Sequence, residues 1–170
     1  QPIADALNKA TELLYESFTP DASADLLVRQ KSNFVDRILT HCFAEFFEQT
    51  EQEATALLAV GGYGRGELLP GSDIDLMLLL NKKPNKNQEQ NISAFLTFLW
   101  DIGLEVGASV RTLKDCVTEG RNDVTVMTNM IESRRITGNQ TLYDKYQRAI
   151  SPKKIWSSKK FFEAKLEEQQ

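Results

Sequence analysis

Between Leu57 and Leu80 the chain reads LLAVGGYGRGELLPGSDIDLMLLL, and no other stretch restricts its fold so tightly. Two apolar runs, Leu57 to Val60 and Leu76 to Leu80, flank a glycine-rich turn and a carboxylate pair at Asp73 and Asp75. Short apolar runs bounded by turn residues predict two buried strands joined by a functional loop. Side chains alternate along a strand, so Asp73 and Asp75 project from one face while Ile74 and Leu76 enter the core.

Two acids on one face repel each other, and holding them there costs free energy unless a cation neutralises them. Their hard oxygen donors suit Mg²⁺, or Mn²⁺, better than zinc. Upstream, Gly61, Gly62, Gly64 and Gly66 let backbone N–H groups approach an anion closely, as in the nests that cradle phosphates. Arg65 adds a fixed cation and Ser72 a hydroxyl beside the acids. Glycines for phosphate and acids for metal together suggest nucleoside triphosphate chemistry. Neither of two familiar phosphate loops fits. No Gly-Lys-Ser/Thr follows the glycines, and the chain returns to a strand within about ten residues instead of opening a Rossmann helix.

The remaining segments read as support for this unit. Ile3, Leu7, Ala10, Leu14 and Phe18 recur at helical spacing until Thr19-Pro20-Asp21 interrupts them. A long second helix carries Leu27, Phe34, Ile38, Cys42 and Phe46 on one face, with Val35, Leu39, Phe43 and Phe47 widening the stripe. Residues 81–90 form a polar loop with Lys82, Lys83 and Lys86. A third helix follows through Ile92, Phe95, Leu99 and Ile102, ended by Gly103. Val106, Ala108 and Val110 alternate as a third strand, and Thr112 to Asp115 has capping-box spacing for a short helix that stops near Gly120. Val124, Met127, Met130 and Ile131 begin a helix expected to run to about Arg135. Gly138-Asn139 then turns the chain into another through Leu142, Tyr146 and Ile150. After Ser151-Pro152, an amphipathic piece from Ile155 to Gln170 carries Trp156, Phe161, Phe162 and Leu166 and ends without a stop signal. The chain therefore reads as cut from something longer.

With 170 residues, 41% of them hydrophobic and 26% charged, there is enough chain for one domain with a real core. No apolar stretch approaches the ~20 residues that span a bilayer, and QPIADALNKATELL has neither the basic start nor the apolar core of a signal peptide, so no membrane partner and a cytoplasmic location are expected. The net charge of −4, with no basic block before Lys153, Lys154, Lys159 and Lys160, gives nucleic-acid binding little electrostatic support. Cys42 and Cys116 lack metal-like spacing and read as buried free thiols. His41 is the chain's one histidine, which excludes a multi-histidine metal site within it.

GGYGRGELLPGSDIDLMLLL resembles the signature of the DNA polymerase β-like nucleotidyltransferase superfamily: a glycine pair, a short spacer, then Asp-apolar-Asp. Within it, the bacterial PII uridylyltransferase/uridylyl-removing enzymes are the closest match. That likeness extends through SNFVDRIL, FLWDIGLEVGASVRTLKDC and NDVTVMTNMIESRRITGN, roughly from Leu27 to the end. The resemblance implies an α/β fold in which a small mixed sheet carries the aspartates, with N-terminal and C-terminal helices. It divides the chain into an N-terminal helical segment at 1–52, a nucleotidyltransferase domain at 53–138, and the start of a following helical region at 139–170.

By the same resemblance, the activity is transfer of UMP from UTP to a tyrosine of the regulator PII, with pyrophosphate released. Asp73 and Asp75 would hold Mg²⁺ and serve catalysis. Gly61 and Gly62 would contact the triphosphate, while Arg65, Glu67 and Ser72 would shape the loop and its phosphate contacts. Such proteins usually place a third carboxylate on a later strand, yet Val106 to Val110 has glycine, alanine and serine there; Glu105 and Glu132 are the candidates. One histidine cannot supply the family's downstream phosphohydrolase site, so neither uridylyl removal nor a glutamine response is expected of this stretch. The motif does not distinguish uracil from adenine. A related adenylyltransferase, a module that binds nucleotide without transfer, and a helical interaction domain with a structural hairpin are the alternatives.

Overall fold

A computed structural model of the chain describes residues 24–68 and 73–151, together with Lys9 and Leu166 individually. The helix expected around Ile3 to Phe18 with its break at Thr19-Pro20-Asp21, the hydroxyl of Ser72, and the amphipathic piece from Ile155 to Gln170 fall outside the described residues, those two positions apart.

The two apolar runs form the centre of a four-stranded mixed sheet. Strand β1 (Thr55–Ala59) pairs antiparallel with β2 (Ile74–Leu80), with Ala59 opposite Leu76 and Thr55 opposite Leu80. β3 (Val106–Thr112) lies parallel to β2 with Ile74 beside Val106, and β4 (Arg134–Gly138) runs antiparallel to β1, giving the order β3-β2-β1-β4. Every residue of β1, and every residue of β2 except Asp75, is buried. Strands covered on both faces read as continuous apolar runs rather than as alternation, which is why these two were visible in the sequence.

Leu57, Ala59, Leu76, Leu78 and Leu80 face one layer, formed by α1 (Ala24–Phe46) and α4 (Lys86–Asp101). Ala56, Leu58, Met77 and Leu79 face the other, formed by α5 (Leu113–Asn122), α6 (Val124–Ile131) and α7 (Gln140–Ala149). Between α1 and β1 lies the short α2 (Gln49–Glu53), and α3 (Gly61–Gly64) is a single turn following β1. The result is a helix–sheet–helix sandwich.

Several boundaries differ from the sequence reading, each for a local reason. Asn85 accepts a hydrogen bond from the Gln88 backbone N–H, while the Gln88 side chain accepts from the Asn85 N–H. This capping box starts α4 inside what reads as a polar loop. On α1 the expected face is buried at Leu27 and Cys42, but Phe34, Ile38 and Phe46 are only partly covered, and Val35, Leu39, Phe43 and Phe47 of the widened stripe are buried instead. α5 passes through the buried Gly120 to Asn122. The largest correction is β4. The helix expected to reach Arg135 ends at Ile131, and residues 134–138 form a strand instead. The β-branched pair Ile136-Thr137 was the signal, masked by two preceding arginines.

The box from Thr112 to Asp115 forms as expected, Thr112 Oγ1 accepting from the Asp115 N–H. Gly103 closes α4 at φ 95°, donating its N–H to the Trp100 carbonyl. Cys42 and Cys116 are free and buried, and His41 is exposed beside Glu45. Among the described residues, no helix is long and apolar enough to cross a membrane.

Candidate functional site

Asp73 immediately precedes β2 and Asp75 is its second residue, on the face that Met77 and Leu79 continue into the α5–α7 layer. Both aspartates are exposed. The Asp75 carboxyl nevertheless lies in a crevice. A Cβ on Gly61 would stand 3.4 Å from its Oδ2, and one on Gly107 3.1 Å from its Oδ1. Partial burial, together with the Asp73 charge, raises the Asp75 carboxyl above the ordinary carboxylate range.

The glycine-rich stretch is a helical turn, not an open loop. Gly61 takes φ 60°, and the Arg65 N–H returns to the Gly61 carbonyl. Gly64 is fixed by close packing: a Cβ there would lie 1.9 Å from the Glu132 carbonyl oxygen and 2.9 Å from that of Ala59. The turn is therefore clamped between the end of β1 and the end of α6, with Gly61 aimed at Asp75.

Arg65 and Glu67 are exposed and joined to each other, Arg65 Nε lying 3.2 Å from Glu67 Oε2. The other arm of the guanidinium reaches Glu132 at the C-terminal end of α6. Glu132 is thereby committed to Arg65. Glu105 is exposed just ahead of β3, its carbonyl accepting the Ile74 N–H. Among the described residues no group of three or more His, Cys, Asp or Glu is placed to hold a metal, so neither glutamate completes a three-acid cluster with Asp73 and Asp75.

Two features escaped the sequence reading. Tyr63, inside the glycine turn, is fully buried and donates its hydroxyl to Asp36 of α1. Arg134 of β4 binds the other Asp36 oxygen, donates to the Tyr63 carbonyl at 2.9 Å, and lies 5.1 Å above the Tyr63 ring. Burial first, then the Asp36 charge, holds the Tyr63 proton on well above its ordinary range. Asn129 of α6 is the second feature: its Oδ1 lies 3.7 Å from the Cβ position on Gly61. Neither could be read from local pattern, since these partners are far apart in sequence.

Residues 42–135 match the family model described as a nucleotidyltransferase domain. The bifunctional uridylyltransferase/uridylyl-removing enzyme of Pseudomonas syringae pv. syringae (strain B728a) is 46% identical over 164 residues, covering 96% of this chain and 18% of that protein. The enzymes of the same name from Azotobacter vinelandii (strain DJ / ATCC BAA-1303) and Hydrogenovibrio crunogenus (strain DSM 25203 / XCL-2) are 44% and 42% identical, with the same coverage. The chain thus spans less than a fifth of the length of these curated relatives. Because the family model covers more than half of its residues, including the glycine turn and both aspartates, the chain belongs to the nucleotidyltransferase domain family.

Proposed function

We propose that the chain is a divalent-metal-dependent uridylyltransferase domain that moves UMP from UTP to a tyrosine hydroxyl of the regulator PII, releasing pyrophosphate. The observation that carries this reading is the approach of the Asp75 carboxylate to Gly61, which sets a hard-oxygen donor beside a backbone position that carries no side chain. The donor set suits Mg²⁺, with Mn²⁺ as its substitute: two adjacent carboxylates, one held above its ordinary range by partial burial and by the other. Asp73 and Asp75 would hold the metal, whose chemistry there is to neutralise the triphosphate and lower the pKa of the attacking hydroxyl.

The protein residues then mainly position the reactants. Gly61 and Gly62 let the phosphates approach the backbone, and the clamp on Gly64 and Tyr63 keeps that turn from yielding. Arg65 sits at the turn's edge, held by Glu67 and Glu132, and exchanges a carboxylate for a phosphate oxygen when nucleotide enters. Ser72 would add its hydroxyl to the phosphate contacts. The uridylyltransferase names of the relatives support uracil over adenine.

Titration of UTP and ATP into the purified chain, with Mg²⁺ and then with chelator, tests the reading. Metal-dependent binding that favours UTP and vanishes in Asp73→Asn/Asp75→Asn is the expected result. A preference for ATP moves the assignment to adenylyl transfer, and binding of neither nucleotide overturns it.

A further inference from the structure

On the opposite side of β2 from the glycine turn, a cavity of about 610 Å³ opens between the end of α4 and the start of β3. Asp73, Trp100, Gly103, Glu105 and Gly107 are among its lining residues. Trp100 is 54% exposed, and is the only aromatic residue among the large hydrophobic side chains left exposed in the described residues. It is also fixed in place: its indole Nε1 donates to the Val106 carbonyl at 2.9 Å, and its own carbonyl accepts from the Gly103 N–H. An anchored indole beside two glycines, with a candidate catalytic carboxylate in the same cavity, is a flat apolar platform next to the chemistry.

We infer that this cavity is the acceptor subsite, and that Trp100 packs against the aromatic ring carrying the hydroxyl to be modified. The inference rests on the nucleotidyl-transfer reading and adds the side from which the acceptor enters. In the order β3-β2-β1-β4, the glycine turn follows β1, on one side of the aspartates, while the cavity lies on the β3 side. In-line displacement requires the nucleophile and the leaving pyrophosphate to stand on opposite sides of the α-phosphorus. With the phosphates at the glycine turn, the nucleophile enters from β3. There the phenolic oxygen forms the new O–P bond. The bond from the α-phosphorus to the bridging oxygen breaks, its electron pair leaves with pyrophosphate, and the phenolic proton passes to water at the cavity mouth. A ring laid on the Trp100 face gains the offset or edge contact that aromatic pairs prefer.

The test uses the purified chain with Mg²⁺, UTP and PII, comparing wild type with Trp100→Ala and Trp100→Phe. Trp100→Ala should raise the KM for PII roughly three- to tenfold while UTP affinity and kcat at saturating PII hold, and Trp100→Phe should restore most of the loss. In a Trp156→Phe background, indole emission reports Trp100 alone. It should shift when PII is added with a non-hydrolysable UTP analogue, and should not shift with PII whose acceptor tyrosine is replaced by alanine. Weaker UTP binding by Trp100→Ala without PII would assign the platform to the nucleobase and overturn the inference, as would unchanged KM and emission. A wild-type chain that binds no UTP refutes the transfer reading itself, a failure visible before any Trp100 variant is compared.

Discussion

Gly107 stands beside Asp75 across the parallel β2–β3 pair, and a Cβ on it would lie 3.1 Å from the Asp75 Oδ1. At this distance a methyl group forces the carboxylate or the strand to give by a few tenths of an ångström. Gly107→Ala is therefore expected to disturb the donor pair more than the fold. Metal-dependent UTP affinity should fall by about three- to tenfold, for an overpacking cost of about 1 kcal/mol. Calorimetric titration with Mg²⁺ measures this, and thermal unfolding of the metal-free variant should show a shift of only a few degrees.

The same carboxylate gives the metal-free chain a definite pH dependence. Asp75 holds its proton above the ordinary carboxylate range in the folded state, so the folded chain binds more protons than the unfolded chain between the two values. Stability from this group is greatest below the unfolded value and is lost as pH rises through the raised folded value. Asp75→Asn removes that loss. In chelator, its melting temperature relative to wild type should be higher at neutral pH than in acid, where the difference should shrink. Mg²⁺ should raise the wild-type melting temperature and leave the variant unmoved, since only a ligand bound by the folded state shifts the equilibrium.

Asp36 joins the long helix, the glycine turn and the last strand through Tyr63 and Arg134. These groups are partly or fully buried, and removing the shared acceptor leaves two donors without their partner. Asp36→Ala should cost about 1–3 kcal/mol, which for a chain of this size lowers the melting temperature by about 2–12 °C. Glu67→Ala supplies the contrast. Its pair with Arg65 is exposed on both sides, and such pairs contribute about 0–1 kcal/mol. Urea unfolding of both variants should separate them clearly.

These relationships also mark what could be read from the sequence. The strands β1 and β2, the aspartate pair and the caps at Thr112 and Gly103 are set by residues within a few positions of one another, so the linear pattern displays them. β4 was hidden because an edge strand of five residues gains its stability from pairing with β1, some eighty residues earlier, and because Arg134 and Arg135 mask its short β-branched core. The leading face of α1 was displaced in part, for a similar reason. Phe34, Ile38 and Phe46 are as apolar as Val35, Leu39 and Phe43, and only the position of the sheet decides which set is buried. The Asp36–Tyr63–Arg134 cluster, the Gly107–Asp75 approach and the exposure of Trp100 are products of the assembled fold.

Burial also sets the reactivity of the two thiols. Cys42 is 2% exposed and Cys116 fully covered; burial raises both, pushing Cys116 up to about 12 despite the opposing Arg111 charge. Alkylation requires an accessible thiolate. At pH 8 the folded chain should resist iodoacetamide at both positions, and both should label at once in guanidinium chloride. Mass spectrometry of the two samples measures it.

The glycine turn offers the sharpest separation between conformational and steric demands on glycine. Gly66 has φ 75° but no atom within 4 Å of its Cβ position, so Gly66→Ala pays only the left-handed backbone penalty of about 1–2 kcal/mol. Gly64 has an ordinary φ, yet its Cβ would meet the Glu132 carbonyl oxygen at 1.9 Å and the Ala59 carbonyl oxygen at 2.9 Å. Both obstacles are backbone, held by α6 and β1, and cannot swing aside as a flexible side chain would. Gly64→Ala should therefore push the turn off its two supports, costing about 3 kcal/mol or more, at the upper end of overpacking effects. Urea denaturation of the two variants gives the comparison directly. The Gly64 variant should also lose metal-dependent UTP binding even where it remains folded, because moving the turn carries Gly61 away from Asp75. Equal losses of stability would mean that the clamp on Gly64 yields, and retained UTP affinity would mean that nucleotide binding does not depend on the turn's position.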